Sequence, residues 1–194
     1  MASVSKNELR QQYLEKRNKL TPTVRQRDSA IIRQRIMRHP VWEDANTVAS
    51  YVSFGSEVDT QKLMEEALRI KKRIVVPWVN PETKEMAFSE LRQLGDLAPG
   101  FYKNIFEPGP SFRKLVDPTE IELALVPGVV FDRQGGRIGM GGGYFDRLLP
   151  QMTHAFRVGM AYDMQVRSRR LPVEPHDIPL NMIFTESEII KPKA

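Results

Sequence analysis

Five glycines fall within eight residues, from Gly136 to Gly143, and what flanks them limits the folds open to the chain. Upstream is the apolar run Glu122-Leu-Ala-Leu-Val-Pro-Gly-Val-Val-Phe-Asp132, then the turn Arg133-Gln-Gly-Gly136. The loop itself is Arg137-Ile-Gly-Met-Gly-Gly-Gly-Tyr-Phe-Asp146. Phe145-Asp-Arg-Leu-Leu149 follows, and Pro150 can stop a short helix there. The order is strand, glycine-rich loop, helix start. Glycine lacks the Cβ that would hold a ligand off the backbone. Successive free N–H groups in such a loop form an anion-binding nest, and the positive end of the following helix adds to it. Gly139, Gly141, Gly142 and Gly143 therefore read as a phosphate cradle. Arg137 adds a fixed charge that forks onto phosphate oxygens. Asp146, in the first helical turn, is close enough to hold a magnesium ion that the phosphates also bind. The loop is not a Walker A loop, because Gly142 and Gly143 stand where Lys and Ser or Thr are required. Nor is it the dinucleotide fingerprint, because Tyr144 takes the last glycine position. The plain alternative is a tight turn with glycines for backbone angles, and it needs fewer glycines than are present.

The rest of the chain supplies short apolar strands alternating with helices. Ser5 and Glu8 form a capping box for a helix running to about Leu20, with Leu9 and Tyr13 on one face. Thr21-Pro22 starts a second helix that carries Ile32 and Ile36 inward and ends by Pro40. Thr47–Phe54 reads as a core strand, and a helix from about Thr60 to Ile70 buries Leu63, Ala67 and Ile70. Arg73–Val79 reads as a second buried strand, and Met86–Leu91 as a more exposed one. Residues 95 to 120, rich in Pro and Gly, read as one long loop, and loops of that length in compact domains are often functional. Ala155–Tyr162 and Asn181–Thr185 complete the strands. This pattern predicts a single α/β domain over 1–194. It has three layers, a largely parallel open sheet with helices on both faces, and an N-terminal helical pair in 1–40. In such sheets ligands gather beyond the carboxyl ends of the strands, where Ser53–Asp59, the glycine loop and the segment from Asp163 lie.

Composition narrows the chemistry. The absence of Cys excludes disulfides, thiolate nucleophiles and Cys-based zinc sites. Only His39, His154 and His176 are present, none at metal-binding spacing, so a transition-metal site is not expected. No run is long and apolar enough to span a membrane. Nor does the N-terminus read as a targeting segment, so a cytoplasmic protein is expected. The net charge of +5 is uneven. Residues 1 to 38 hold ten Lys/Arg and three acids, leaving 19 basic and 21 acidic residues in the remainder. Such a basic arm can bind nucleic acid, lend a cation or two to an anionic small ligand, or simply be a solvated helix face. Glu57 can accept hydrogen bonds from an amino-pyrimidine or similar ring, whereas Asp59-Thr60 reads as a helix cap. Within Pro172-Val-Glu-Pro-His-Asp-Ile-Pro179, His176-Asp177 reads as catalytic, metal-binding or a turn. An aspartate on magnesium stays open, since magnesium needs only one or two carboxylates besides phosphates and water.

Taken in order, the motifs resemble the 5-formyltetrahydrofolate cyclo-ligase family, also called 5,10-methenyltetrahydrofolate synthetases. The likeness runs through Lys6 to Arg10, Tyr51-Val-Ser-Phe-Gly-Ser-Glu-Val-Asp-Thr60, Val75-Val-Pro77, Glu107-Pro108, Val126-Pro-Gly-Val-Val-Phe-Asp132, Arg137 to Asp146, Leu171–Asp177 and Thr185-Glu186. The resemblance implies an enzyme that uses ATP and magnesium to convert 5-formyltetrahydrofolate to 5,10-methenyltetrahydrofolate, releasing ADP and phosphate. It implies that the formyl oxygen takes the γ-phosphoryl group, after which folate N10 attacks the activated carbon. Carried over by position, Lys6, Arg10 and Arg137 to Phe145 (Gly139, Met140, Gly141, Gly142, Gly143 and Tyr144 among them) are nucleotide contacts. Val52, Glu57 and Met140 to Tyr144 are folate contacts, Asp146 and Asp177 hold magnesium, and Arg137 and Tyr144 act in the chemistry. A monomer is expected, with folate and ATP as small-molecule partners.

One departure stands out. Many members carry Gly-Lys-Gly-Tyr-Tyr-Asp where this chain has Gly141-Gly-Gly-Tyr-Phe-Asp146. The transferred phosphoryl group then needs another cation, and Arg137 with Lys6 or Arg10 is the expected substitute. Two other readings remain at this level. An RNA-binding module using the basic arm lacks the aromatics interleaved on strands that such modules stack on bases. A same-fold protein binding a phosphorylated metabolite without ligase activity is permitted by fold alone.

Overall fold

The computed structural model describes residues 4–102, 105–174 and 177–192. Three helices come first: α1 (Lys6–Asn18), α2 (Pro22–Met37) and α3 (Pro40–Glu43). The Ser5 hydroxyl accepts from Glu8 N–H at 3.2 Å, and the Glu8 carboxylate accepts from Ser5 N–H at 2.8 Å, so the capping box forms. Thr21 caps α2 through Val24 N–H, with Pro22 in its first turn.

The main sheet is built from β1 (Thr47–Ala49), β2 (Arg73–Val79), β3 (Met86–Leu91), β6 (Leu115–Val116), β7 (Leu123–Val126), β10 (Phe156–Met160), β12 (Met182–Phe184) and β13 (Ile189–Ile190). Their order across the sheet is β13-β12-β10-β7-β1-β2-β3-β6. The five central strands β12, β10, β7, β1 and β2 run parallel, and the edges are antiparallel. Side-chain alternation decides which layer each residue joins. Val48, Ile74, Val76, Leu123, Leu125, Val158, Met160, Met182 and Phe184 meet α2, α3 and α4 (Gln61–Arg69) through Ile32, Ile36, Trp42, Leu63, Met64 and Ala67. Ala49, Val75, Ala124, Val126 and Ile183 face the other way. They pack on Leu148, Leu149 and Met152, which belong to α5 (Tyr144–Leu148) and the turn after it. Both faces are covered, as expected of a parallel sheet.

Several elements differ from the sequence expectations. The first strand stops at Ala49, although Ser50, Tyr51 and Val52 beyond it are buried. The run 122–132 breaks at Pro127-Gly128, because proline supplies no ladder N–H. Beyond the break, β8 (Val130–Asp132) leaves the main sheet and pairs with β9 (Arg137–Ile138) and β11 (Val166–Arg167) in a small sheet. The 95–120 segment is not one loop. It holds β4 (Leu97–Pro99) and β5 (Phe106–Pro108), which pair with each other, plus β6 and three short 3₁₀ turns. β3 is more buried than its alternation suggests, because it lies between β2 and β6; Phe88 and Ser89 are inaccessible. Ile70 caps the end of α4 and is 50% exposed rather than buried. The two N-terminal helices dock separately. α2 lies on the main sheet, whereas α1 covers the small one by packing Leu9 with Val129, Val130, Ile138 and Leu171.

Candidate active site

The break at Pro127-Gly128 creates the site. Asp132, inaccessible to solvent, fixes the β8–β9 turn by accepting Gln134 N–H at 2.9 Å and Gly136 N–H at 2.8 Å through one oxygen. Its other oxygen accepts Leu171 N–H at 2.7 Å, which ties in the segment leading to Asp177. That turn aims Arg137 inward and launches the glycine loop over a cleft of about 500 Å3. The cleft is bounded by the start of α1, Phe54 and Glu57, Met86, Ile105, Pro127-Gly128, residues 137–146, Glu174 and Asp177. It thus joins segments that are far apart in sequence.

The loop needs its glycines. Gly141 adopts φ +101° and Gly143 φ +64°, where side chains with a Cβ are strained. Gly142 has ordinary angles, but a Cβ there would stand 2.9 Å from the Tyr144 ring. So the residue that departs from the usual loop lysine is also the one that lets Tyr144 fold back on the loop. α5 is only five residues long, so its positive end adds less than the sequence reading expected. This end of the cleft is loop backbone plus guanidinium groups.

Those cations are tied to carboxylates and carbonyls. The Arg137 side chain is 5% exposed and forms an ion pair with Asp146. Burial pushes its guanidinium below the usual arginine range, while the carboxylates of Asp146 and Asp177 oppose that. The Arg137 Nε is buried without a partner among the described residues. Lys6 Nζ lies 2.7 Å from Asp177 Oδ2 and 3.2 Å from Glu174 Oε1. Burial works against its charge, but those carboxylates prevail and raise it above the usual lysine value. Arg10 Nε donates to Gly139 O at 2.7 Å, and its Nη1 donates to Asn7. Arg147 bridges the far side of the loop, donating to Gly142 O at 3.2 Å with its guanidinium 4.9 Å from the Tyr144 ring centre. The Tyr144 hydroxyl meets that of Tyr102, from the β4–β5 hairpin, with ring centres 5.9 Å apart.

At the other end sits Glu57. Its carboxylate accepts Phe54 N–H at 3.2 Å, and its carbonyl accepts the Tyr162 hydroxyl at 3.1 Å. Burial pushes the carboxyl up to about 7, against the nearby Arg17 guanidinium and the Phe54 hydrogen bond. A carboxyl poised between its two forms, at the end of a cleft with apolar walls, suits a ring that presents adjacent N–H donors.

A model of the 5-formyltetrahydrofolate cyclo-ligase family matches residues 2–186. The chain belongs to the 5-formyltetrahydrofolate cyclo-ligase family. The 5-formyltetrahydrofolate cyclo-ligase of Escherichia coli K12 is 35% identical over 178 residues, covering 90% of this chain and 97% of that protein. The mitochondrial one of Arabidopsis thaliana is 27% identical, over 88% of this chain and 70% of that protein. Among solved structures, the 5,10-methenyltetrahydrofolate synthetase of Aquifex aeolicus superposes with a TM-score of 0.85 at 33% identity, covering 97% and 93% of the two chains. The Mycoplasma pneumoniae synthetase gives 0.75 at 26% identity, covering 94% and 99%.

Within this family fold, the cleft gathers Lys6, Arg10, Glu57, residues 137–146 and Asp177. Val52 is different: it is 4% exposed within the core, two residues before the cleft-lining Phe54. His176 lies outside the described residues. Among the described residues no cluster of three His, Cys, Asp or Glu is placed to hold a metal unaided. No helix among them is long and apolar enough to cross a membrane. The sequence reading missed Arg17, Tyr102 and Arg147. Of these only Arg17 left a signal, its helical spacing from Lys6 and Arg10.

Proposed function

We propose that this chain converts 5-formyltetrahydrofolate to 5,10-methenyltetrahydrofolate at the expense of ATP. The observation that carries the reading is one cleft, in a family member, with a glycine cradle and guanidinium groups at one end and a poised carboxylate at the other. Glu57 takes the amino-pyrimidine edge of the folate ring. Met140 to Tyr144 lie between folate and phosphates, with the Tyr144 ring against the pterin or the formyl group. Lys6, Arg10, Arg137 and the loop from Gly139 to Phe145 take the nucleotide. Val52 contributes through the wall behind Phe54.

The chemistry follows from that order. The formyl oxygen attacks the γ-phosphorus as the bond to the ADP oxygen breaks. Folate N10 then attacks the activated formyl carbon, and phosphate leaves with the former formyl oxygen while N10 loses its proton. An amide oxygen is a poor leaving group and phosphate a good one, so the protein's task is positioning and charge neutralisation. Among the described residues Arg137 keeps an unpartnered buried Nε beside a loop with Met140 as its one side chain between Gly139 and Gly143, a donor set that suits phosphate oxygens. Asp146 and Asp177 flank Arg137 and fit a magnesium ion completed by phosphate oxygens and water. Magnesium, when bound, neutralises phosphate charge and orients the leaving group. In the chain itself, Asp146 and Asp177 are held by Arg137 and Lys6, which ion and nucleotide would then share. We read the protein as a single-domain, cytoplasmic monomer. Lys6 and Arg10 line this cleft, which on this reading gives part of the basic arm to the anionic nucleotide.

The test is absorbance of the conjugated methenyl product on mixing protein, 5-formyltetrahydrofolate, ATP and magnesium. A rise that requires both ATP and magnesium, and is lost in Asp146→Ala, is expected. ATP binding without any rise overturns the reading and points to another phosphate-accepting substrate.

A further inference from the structure

Lys6, Arg10 and Arg17 are spaced by four and then seven residues, which on an α-helix is one stripe. The first two reach the glycine loop and its carboxylates. Arg17 is buried at 3% exposure, under the opposite end of the cleft. Its Nε donates to Ser56 Oγ at 3.0 Å, and its Nη1 donates to Gly128 O at 3.2 Å. Ser56 and Gly128 belong to the two segments that supply Glu57 and the Pro127-Gly128 wall. Gln165 closes the arrangement by donating to Gly128 O and Val129 O, each at 3.0 Å. A buried guanidinium is costly to desolvate, and neutral acceptors offset that only in part. The carboxylate whose field it feels most is Glu57.

We propose that Arg17 is a positioning residue for folate: it pins both walls around Glu57 and sets the charge of the carboxylate on which the ring docks. This deepens the proposed function and rests on it. Glu57 faces few charges. Arg17 comes from α1, and Arg25, from α2, donates to Gly55 O at 3.1 Å. Tyr51 lies in the field of both Glu57 and Asp59, and Tyr162 reaches in from beyond β10. Tyr51 and Tyr162 are both held neutral by burial, so neither adds negative charge. Arg17 is the buried cation of the set. Without it, burial of the Glu57 carboxyl goes largely unopposed, and the protonated form, a poorer acceptor for ring N–H groups, prevails to higher pH.

The experiment is calorimetric binding of 5-formyltetrahydrofolate between pH 6 and 9, in buffers of different ionisation enthalpy, which reports protons released. It is run on the wild type, Arg17→Met, Arg17→Lys, Glu57→Gln and the Arg17→Met/Glu57→Gln double variant. The wild type is expected to release a proton with a midpoint near 7. Arg17→Met is expected to move that midpoint upward by about one pKa unit and so to weaken binding at pH 7 by about fivefold, with recovery toward pH 9. In the Glu57→Gln background, Arg17→Met should add nothing to the pH dependence. Weakening that is equal at every pH, or equal with and without Glu57, overturns the proposal and leaves Arg17 a scaffold. Arg17→Lys keeps charge but not both hydrogen bonds, so its midpoint should stay near 7. It serves if Arg17→Met does not melt cooperatively, and a displaced midpoint overturns the proposal. A wild type that binds no folate at all refutes the functional reading instead.

Discussion

Replacing Glu57 by Gln should make the protein more stable above neutral pH while weakening its hold on folate. The carboxyl is raised from 4.5 to about 7, and each pKa unit is worth about 1.4 kcal/mol. Ionised Glu57 therefore costs the folded state at most about 3.5 kcal/mol, a ceiling because part of the residue's surface remains open to the cleft. The sign follows from the raised value. Below pH 4.5 the group is protonated whether folded or unfolded, and it costs nothing. Between 4.5 and about 7 only the folded state keeps the proton, so stability falls as pH rises. Above 7 the cost is constant. Gln is close in shape and can still accept Phe54 N–H. Urea unfolding of the two proteins at half-unit steps from pH 4.5 to 8.5 measures the difference. Glu57→Gln should match the wild type near pH 4.5 and exceed it by 1–3 kcal/mol at pH 8. A difference that is flat with pH, or that favours the wild type at pH 8, refutes the argument that this carboxylate is held against its own desolvation.

Three further outcomes follow from the site. Asp146→Ala should lower stability by about 3–5 kcal/mol, because it leaves the buried Arg137 guanidinium without its partner; Asp146→Asn should cost less, and thermal melts separate that loss from the loss of turnover. Gly141→Ala should weaken ATP binding, since the loop must abandon φ +101°; unchanged ATP binding counts against the cradle. Asp132→Ala should cost about 2–4 kcal/mol, because three backbone N–H groups lose their acceptor. Hydrogen exchange should then speed up at Gly136 and Leu171 together, and unchanged protection there would show that the turn holds without it.

The local structure was legible where short-range chemistry decides it. The Ser5–Glu8 box, the Thr21-Pro22 helix start and the Arg73–Val79 strand all form as their residues indicate. The glycine loop was legible because four glycines in five positions have few uses besides close approach of a ligand. Misreadings came where neighbours override pattern. Met86–Leu91 alternates like an exposed strand but is buried between two others, and the 95–120 segment pairs with itself through strands of three residues that leave almost no periodicity. The 122–132 run reads as one strand, because nothing local says that its second half joins a different sheet.

The sequence by itself determined the alternation of strands and helices, the family and the glycine-rich loop, because these rest on residue type and spacing along the chain. Only the tertiary structure decided how the charges are shared. Lys6 meets Asp177, 171 residues away, and Arg10 meets Gly139, 129 away. Arg17 lies buried beside the wall that holds Glu57. Whether a cation is a solvated point on a helix or half of a poised pair depends on burial and on distances of a few ångströms. Those are fixed only when α1 closes over the break in the 122–132 run.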